Sequence, residues 1–279
     1  MRAPLADAAA GAEPAAPLRG SASARGRAAP RSMGRRLGGV LVAIALWELL
    51  SVSGIVTGQA LAGVGETAGA LGSHAGALVS AAGATLKAWA VGLVIAGVSG
   101  IALGSLVGRS RVAEALTEVL VRMMRPLPSL ALIPVAILIA GLGLTMTAGL
   151  VAFTSFWPIF INTRYGVRQV DNLFIDTGRT LGLRGRRLLQ TIILPAAAPL
   201  IASGVQVAIS LALVVTVSVE LVAGSGGLGT FVLQAQQGNA VATMDAGIVV
   251  GGIIGWALNT AYATLIRRVL PWSTRLERE

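Results

Sequence analysis

Glu48 and Glu220 each fall within or beside a long apolar run. A carboxylate held at the centre of a bilayer costs on the order of 3 kcal/mol, so it faces the protein interior or water rather than lipid. Such a group can line a solute path or work a gate. It can equally be a helix-end carboxylate or a structural hydrogen-bond acceptor, and for Glu48 both readings stand. Gln206, Ser210, Thr216 and Ser218 recur along the run that leads to Glu220. They could line a path there, although residues of this kind also satisfy hydrogen bonds between helices. Other chemistries drop out. Cysteine is absent, which excludes disulfides and thiolate metal sites, and the single histidine, His74, sits in a Gly/Ser/Ala-rich stretch of loop character. The single lysine, Lys87, follows Thr85 and Leu86 rather than a glycine-rich loop. The chain therefore has no phosphate-cradling P-loop. Gly224, Gly226 and Gly229 match the spacing of a dinucleotide fingerprint, with Asp245 at a suitable distance. That motif needs a strand before it and a soluble helix after it. Here it reads as a flexible or re-entrant connection, with a short helix over 231–237.

The elements that must position these residues are membrane helices. Of the 279 residues 54% are hydrophobic and 12% charged, against about a quarter charged in soluble domains. A spanning helix needs about 20 mostly apolar residues. Six runs meet or approach that length: 37–56, 86–107, 129–143, 147–163, 196–222 and 246–266. The third and fourth look like a hairpin joined by Gly141, Gly143 and Thr145, and Pro128 and Pro134 predict a kinked or broken third helix. The fifth is long enough to tilt, or to begin at the interface behind Pro195 and Pro199. Residues 1–33 are rich in Ala, Pro, Gly, Ser and Arg and have no apolar periodicity, which predicts a disordered cytoplasmic tail. A signal peptide is the competing reading of Arg35 and Arg36 ahead of the first run. The remainder, 34–279, reads as one transmembrane domain.

The formal net charge of +10 is distributed with a pattern. Arginines precede the first run, fill the connection between the second and third (Arg109, Arg111, Arg122, Arg125), and fill that between the fourth and fifth (Arg164, Arg168, Arg179, Arg184, Arg186, Arg187). They also follow the sixth run, while the alternate connections carry none. The positive-inside rule then places both termini in the cytoplasm, and the basic balance serves topology rather than nucleic acid. Gly100, Gly104 and Gly108 repeat at intervals of four, as do Gly247, Gly251 and Gly255. Each set lays glycine along one helix face for close packing, more readily within one subunit than at a dimer seam.

The connection 164–195 carries the most information. Val170, Leu173, Phe174, Thr177, Leu181 and Leu188 recur at helical spacing, Gly182 marks a bend, and a second helix enters the membrane at Pro195. Asp176-Thr177-Gly178, three residues, Gly182, nine residues, then Ile192-Ile193-Leu194-Pro195 resembles the EAA loop of ABC importer permeases. The family pattern is Glu-Ala-Ala, three residues, Gly, nine residues, Ile, any residue, Leu, Pro. Gly182, Ile192, Leu194 and Pro195 match it, and Leu183 lies within it. Asp176 stands for the glutamate, and Thr177 and Gly178 replace the alanines.

The resemblance extends over roughly 37–270. Trp47-Glu48, the stretch Arg125 to Pro134, and Glu220 followed by Ser225-Gly226-Gly227-Leu228-Gly229 are similar to the nitrate/sulfonate/taurine-type permeases. The resemblance implies an all-α integral membrane protein with about six transmembrane helices and a MetI-like core. It implies a coupling helix around 176–182 that docks on separate ATPase subunits, which bind the ATP, so that this chain is not itself an enzyme and carries no cofactor. It further implies a homodimer of permeases, an extracytoplasmic substrate-binding protein, and a small solute such as a sulfonate, taurine or nitrate. Glu220 is placed beside the outer mouth. On residues alone, two other classes stay open: an ion-coupled carrier protonating Glu48 or Glu220, for which no internal repeat speaks, and a non-transporting membrane scaffold.

Overall fold

The computed structural model describes residues 31–53, 61–124 and 127–272. The expected tail up to residue 30, the end of the first apolar run, Arg125 and Pro126 lie outside them. The chain divides into two units, Met1–Ala45 and Leu46–Glu279, and the packing that matters for function belongs to the second. Every regular element among the described residues is helical, as apolar segments in lipid require, because a helix satisfies its backbone groups internally.

Helix α1 (Arg31–Val52) is followed by the short α2 (Val64–Ser73) and the long α3 (Ala75–Gly108). After α4 (Arg111–Met124) come a 3-10 turn (Ser129–Leu132) and α5 (Ile133–Ala140), then α6 (Leu144–Arg168). The loop helices α7 (Asn172–Thr180) and α8 (Gly185–Leu188) lead through a π-helical turn (Leu189–Ile193) into α9 (Leu194–Ala223). Two further helices, α10 (Gly227–Gln237) and α11 (Val241–Val269), complete the fold.

Four helical stretches are long and apolar enough to cross a bilayer: α3, α6, the continuous stretch Gly185–Ala223, and α11. A fifth crossing arises if Val112–Met124 and Ser129–Ala140, bent by 84°, form one broken span. The difference from six apolar runs lies in two places. The third run is helical only over Ser129–Ala140, where a 3-10 turn passes into the eight-residue α5, about 12 Å of α-helix and well short of the hydrocarbon thickness. In the first run the described apolar helix is Gly38–Val52, shorter than a full span. Conversely, α3 begins at Ala75 rather than 86, so Lys87 lies along the helix and not at its end.

The packing seam between α3 and α6 explains the glycines. A Cβ at Gly92 would lie 2.6 Å from Val151, one at Gly100 3.0 Å from Ile159, one at Gly104 2.8 Å from the Phe160 carbonyl, and one at Gly108 2.9 Å from the Arg164 carbonyl. With Ala88 and Ala96, both buried, a small residue occurs every fourth position from 88 to 108, and the two backbones approach along that whole stripe. This is packing within one chain. The second ladder differs: Gly247 meets Phe231 and Val232, Gly255 meets Leu213, and Gly251 faces open space. Helices α6 and α9 approach at Gly204, whose Cβ would meet Asn162 at 2.7 Å and the Pro158 carbonyl at 2.8 Å. Apolar clusters fill the layers between these seams. Met146, Leu150, Val151, Ala212, Val215 and Val219 join α6 to α9. Leu78, Leu228 and Ala246 join α3, α10 and α11 at the end opposite the loop helices.

Candidate functional site

The loop between α6 and α9 is built from its caps inward. Asp171 accepts the Leu173 backbone N–H at 2.9 Å and starts α7, the arrangement expected of an N-cap carboxylate. The helix stops at Leu181, and Gly182 takes φ +80°, where a side chain is strained. The chain doubles back there, with Gly182 N–H donating to the Arg179 carbonyl at 3.0 Å and Leu183 N–H to the Gly178 carbonyl at 2.9 Å. Gly185, at φ +54°, opens α8. The π turn that follows ends at Leu194-Pro195, the first residues of α9. Proline lacks the N–H that an α-turn needs, and the widened turn lies where that donor is missing.

Gly178 is buried under this return. A Cβ at Gly178 would lie 2.7 Å from Leu188 Cδ1 and would also collide with Ile192. The glycine that stands in place of the family's alanine lets the ends of Leu188 and Ile192 close over the helix, and a methyl there would make those two side chains turn aside. Val167, Leu188, Ile193 and Ala197, backed by Ile175, Leu183 and Ile192, seat the loop on the ends of α6 and α9. The apolar stripe expected of α7 does not turn inward. Leu173 is 68% exposed, Phe174 59% and Leu181 74%; Asp176, paired with Arg179 at 3.0 Å, and Thr177 share that outer surface. The helix is held from below by Ile175 and Gly178 and presents a mixed apolar and charged face outward. Arg168, at the end of α6, is ion-paired with Glu114 of α4, tying the loop's base to the neighbouring connection.

The six residues considered for a solute path do not share one surface: Thr216 is buried and its hydroxyl donates to the Ala212 carbonyl of its own helix at 2.7 Å, and Ser218 is half-buried. Glu220, near the end of α9, is 2% exposed. Its Oε2 accepts from Thr85 Oγ1 at 2.8 Å and from the Gly229 N–H at 3.0 Å, and Thr85 Oγ1 in turn accepts the Leu228 N–H at 2.8 Å. The carboxylate therefore lies against the N-terminal turn of α10, where backbone donors are unpaired. The glycines of 224–229 fit that turn around it: Gly227 has φ +85°, and a Cβ on Gly227 or Gly229 would strike Glu220. The sequence that mimics a dinucleotide fingerprint is a clasp for a carboxylate. The expected short helix over 231–237 is the body of α10, which begins four residues sooner.

Glu48 is exposed and accepts the Val64 N–H at 2.8 Å, at the start of α2. Asp245, buried in the first turns of α11, accepts the Ala62 N–H at 2.8 Å, and Trp47 Nε1 donates to the Ala62 carbonyl at 2.9 Å. All three acids thus receive backbone N–H groups of the α2 and α10 segments. Asp245 was not singled out as a site residue, and its partner 183 positions away gives no signal in the sequence. Gln206 and Ser210 are exposed on one face of α9, and Ser210 Oγ donates to Asn259 Oδ1 of α11 at 3.0 Å. Among the described residues no cluster of three or more His, Asp and Glu could hold a metal ion.

The comparisons with known proteins agree with this architecture. The family model for the inner membrane component of binding-protein-dependent transport systems matches residues 100–275. The chain is 30% identical over 188 residues to the putative aliphatic sulfonates transport permease protein SsuC of Bacillus subtilis (strain 168), covering 67% of this chain and 68% of that one. It is 32% identical over 182 residues to the bicarbonate transport system permease protein CmpB of Synechococcus elongatus, covering 65% and 66%. It is 29% identical over 186 residues to the nitrate import permease protein NrtB of Leptolyngbya laminosa, covering 67% of each. The matched stretch is thus about two thirds of each relative. In fold, it is similar to the inward-facing MetNI methionine ABC transporter, with a TM-score of 0.59 and 19% identity over 69% of this chain and 95% of that chain. This chain belongs to the family of inner membrane components of binding-protein-dependent transport systems, the permease subunits of ABC importers.

Proposed function

We propose that this permease imports a small anion and is driven through the outward face of α7. The carrying observation is the exposed set Leu173, Phe174, Thr177 and Leu181 on a helix clamped from beneath by Gly178, Leu188 and Ile192. An apolar surface offered by a rigidly seated loop suits a protein partner, and the partner is an ATPase subunit that holds the nucleotide. Asp176, Gly182, Leu183, Leu194 and Pro195 shape this handle and connect it to α9. The loop lies in the cytoplasm, as do both termini, because the arginines gather in its connection and in the others on that side. A soluble receptor delivers the solute at the opposite face, between α2 and α10.

Two copies of the chain enclose the path. Gln206, Ser210 and Asn259 supply its polar lining, since exposed polar groups at mid-membrane depth avoid lipid. Glu48 and Glu220 shape the outer rim through the backbone groups they hold. The solute class follows the names of the relatives: a sulfonate, nitrate or bicarbonate.

The test replaces Gly182 with Val, a β-branched residue that the left-handed backbone there resists. The variant should insert into the membrane, yet lose co-purifying ATPase and solute-stimulated hydrolysis. Retention of both at wild-type level would overturn the proposed role of the loop.

A further inference from the structure

A groove of about 830 Å³ runs along the side of the chain between α3 and the α8–α9 junction. Val94, Val98, Ile101 and Leu106 line one wall and Leu189 and Leu194 the other. Arg109, at the end of α3, and Gly185 and Arg186, at the start of α8, complete the lining. Both arginines are exposed, and neither has an ion-pair partner among the described residues, unlike Arg122, Arg168 and Arg179. From Val94 to Arg109 the groove follows about 22 Å of helix at 1.5 Å per residue, enough to accompany an acyl chain through one leaflet. The floor is open: Gly97 has no atom within 4 Å of where its Cβ would stand.

A slot that is apolar along its length and doubly cationic at its cytoplasmic end fits a ligand built the same way. We infer that this groove seats an anionic phospholipid of the inner leaflet, its phosphate between Arg109 and Arg186 and its acyl chain along Val94, Val98, Ile101 and Leu106. Basic pockets between membrane helices on the cytoplasmic side are matched to such headgroups, and guanidinium groups bind phosphate through paired donors. The site rests on the orientation proposed above, which puts Arg109 and Arg186 at the inner surface. Since Arg186 belongs to the coupling loop, the bound headgroup joins that loop to the end of α3.

Electron spin resonance with the full-length chain in symmetric vesicles, doped with spin-labelled phosphatidylglycerol or phosphatidylcholine, tests this without the ATPase and without a defined orientation. Failure of the lipid site is thereby separated from failure of the coupling reading. The wild type should hold phosphatidylglycerol immobile with a several-fold preference, and the double variant Arg109→Gln/Arg186→Gln should show parity between the two lipids. Gly97→Phe, which fills the floor and leaves both charges, should lower the immobile fraction of phosphatidylglycerol. Parity in the wild type, a preference that survives the double variant, or an immobile fraction untouched by Gly97→Phe each overturns the site. A disulfide between copies at Val98→Cys would do so too, by showing that a second chain fills the groove.

Discussion

Thr85 is the residue on which the α3–α9–α10 junction turns. Its hydroxyl donates to Glu220 and accepts from Leu228 N–H, so one oxygen closes a chain from the carboxylate to the α10 backbone. Thr85→Val keeps the shape and removes both bonds, leaving the buried Leu228 N–H unpaired at a cost of about 1–3 kcal/mol and Glu220 with the Gly229 N–H. The purified subunit should melt at a lower temperature, and Thr85→Ser should recover most of the loss; a valine variant that melts with the wild type would refute the junction. At this scale the sequence was only half legible. That Glu220 must face the interior followed from its apolar surroundings. What it meets there did not, because its partners are a backbone N–H and a threonine 135 positions away. Glu48 was left between two readings, and its bond to the start of α2 is of the helix-end kind.

At the scale of elements, two glycines with the same spacing in the sequence have opposite surroundings. Gly104 abuts the backbone of α6, while Gly251 meets nothing. Gly104→Leu should destabilise the subunit by about 1–3 kcal/mol or more, as overpacking does, whereas Gly251→Leu should leave the isolated subunit's melting temperature unchanged. Thermal unfolding of both variants in one detergent checks the contrast, and equal losses would contradict the assignment of the α3–α6 seam. The ladder itself was legible from spacing, but its continuation through Ala96 to Gly92 was not, because alanine interrupts the glycine pattern without interrupting the stripe. The loop was legible through Gly182, Ile192, Leu194 and Pro195. The direction of its apolar residues was not: helical periodicity marks a face without saying whether the partner on that face is the same chain. A break at the third run was legible from Pro128 and Pro134, and a bend of 84° lies just ahead of Ser129; that α5 is too short to span was not, since hydropathy registers an apolar run and not its helical length.

For the whole molecule, orientation is the property on which most depends. With no cysteine in the sequence, a single introduced thiol reports its own side of the membrane. Leu181→Cys, in the exposed loop, should react with an impermeant maleimide only after the cells are opened. Gln237→Cys, at the exposed end of α10, should react in intact cells. The reverse pattern would invert the arrangement and remove the ATPase from the loop's side.

The helical stretch Gly185–Ala223 has 39 residues, a contour of about 58 Å, which outreaches the bilayer's apolar thickness at both ends. It carries the return of the 169–193 loop at one end and Glu220, gripping α10, at the other. A rotation of about 5° pivoting at one end would sweep the other by about 5 Å over that contour. A nucleotide-driven nudge below the membrane and a shift of the rim above it would then be one displacement of a single pushrod, with no relay of intermediate contacts needed.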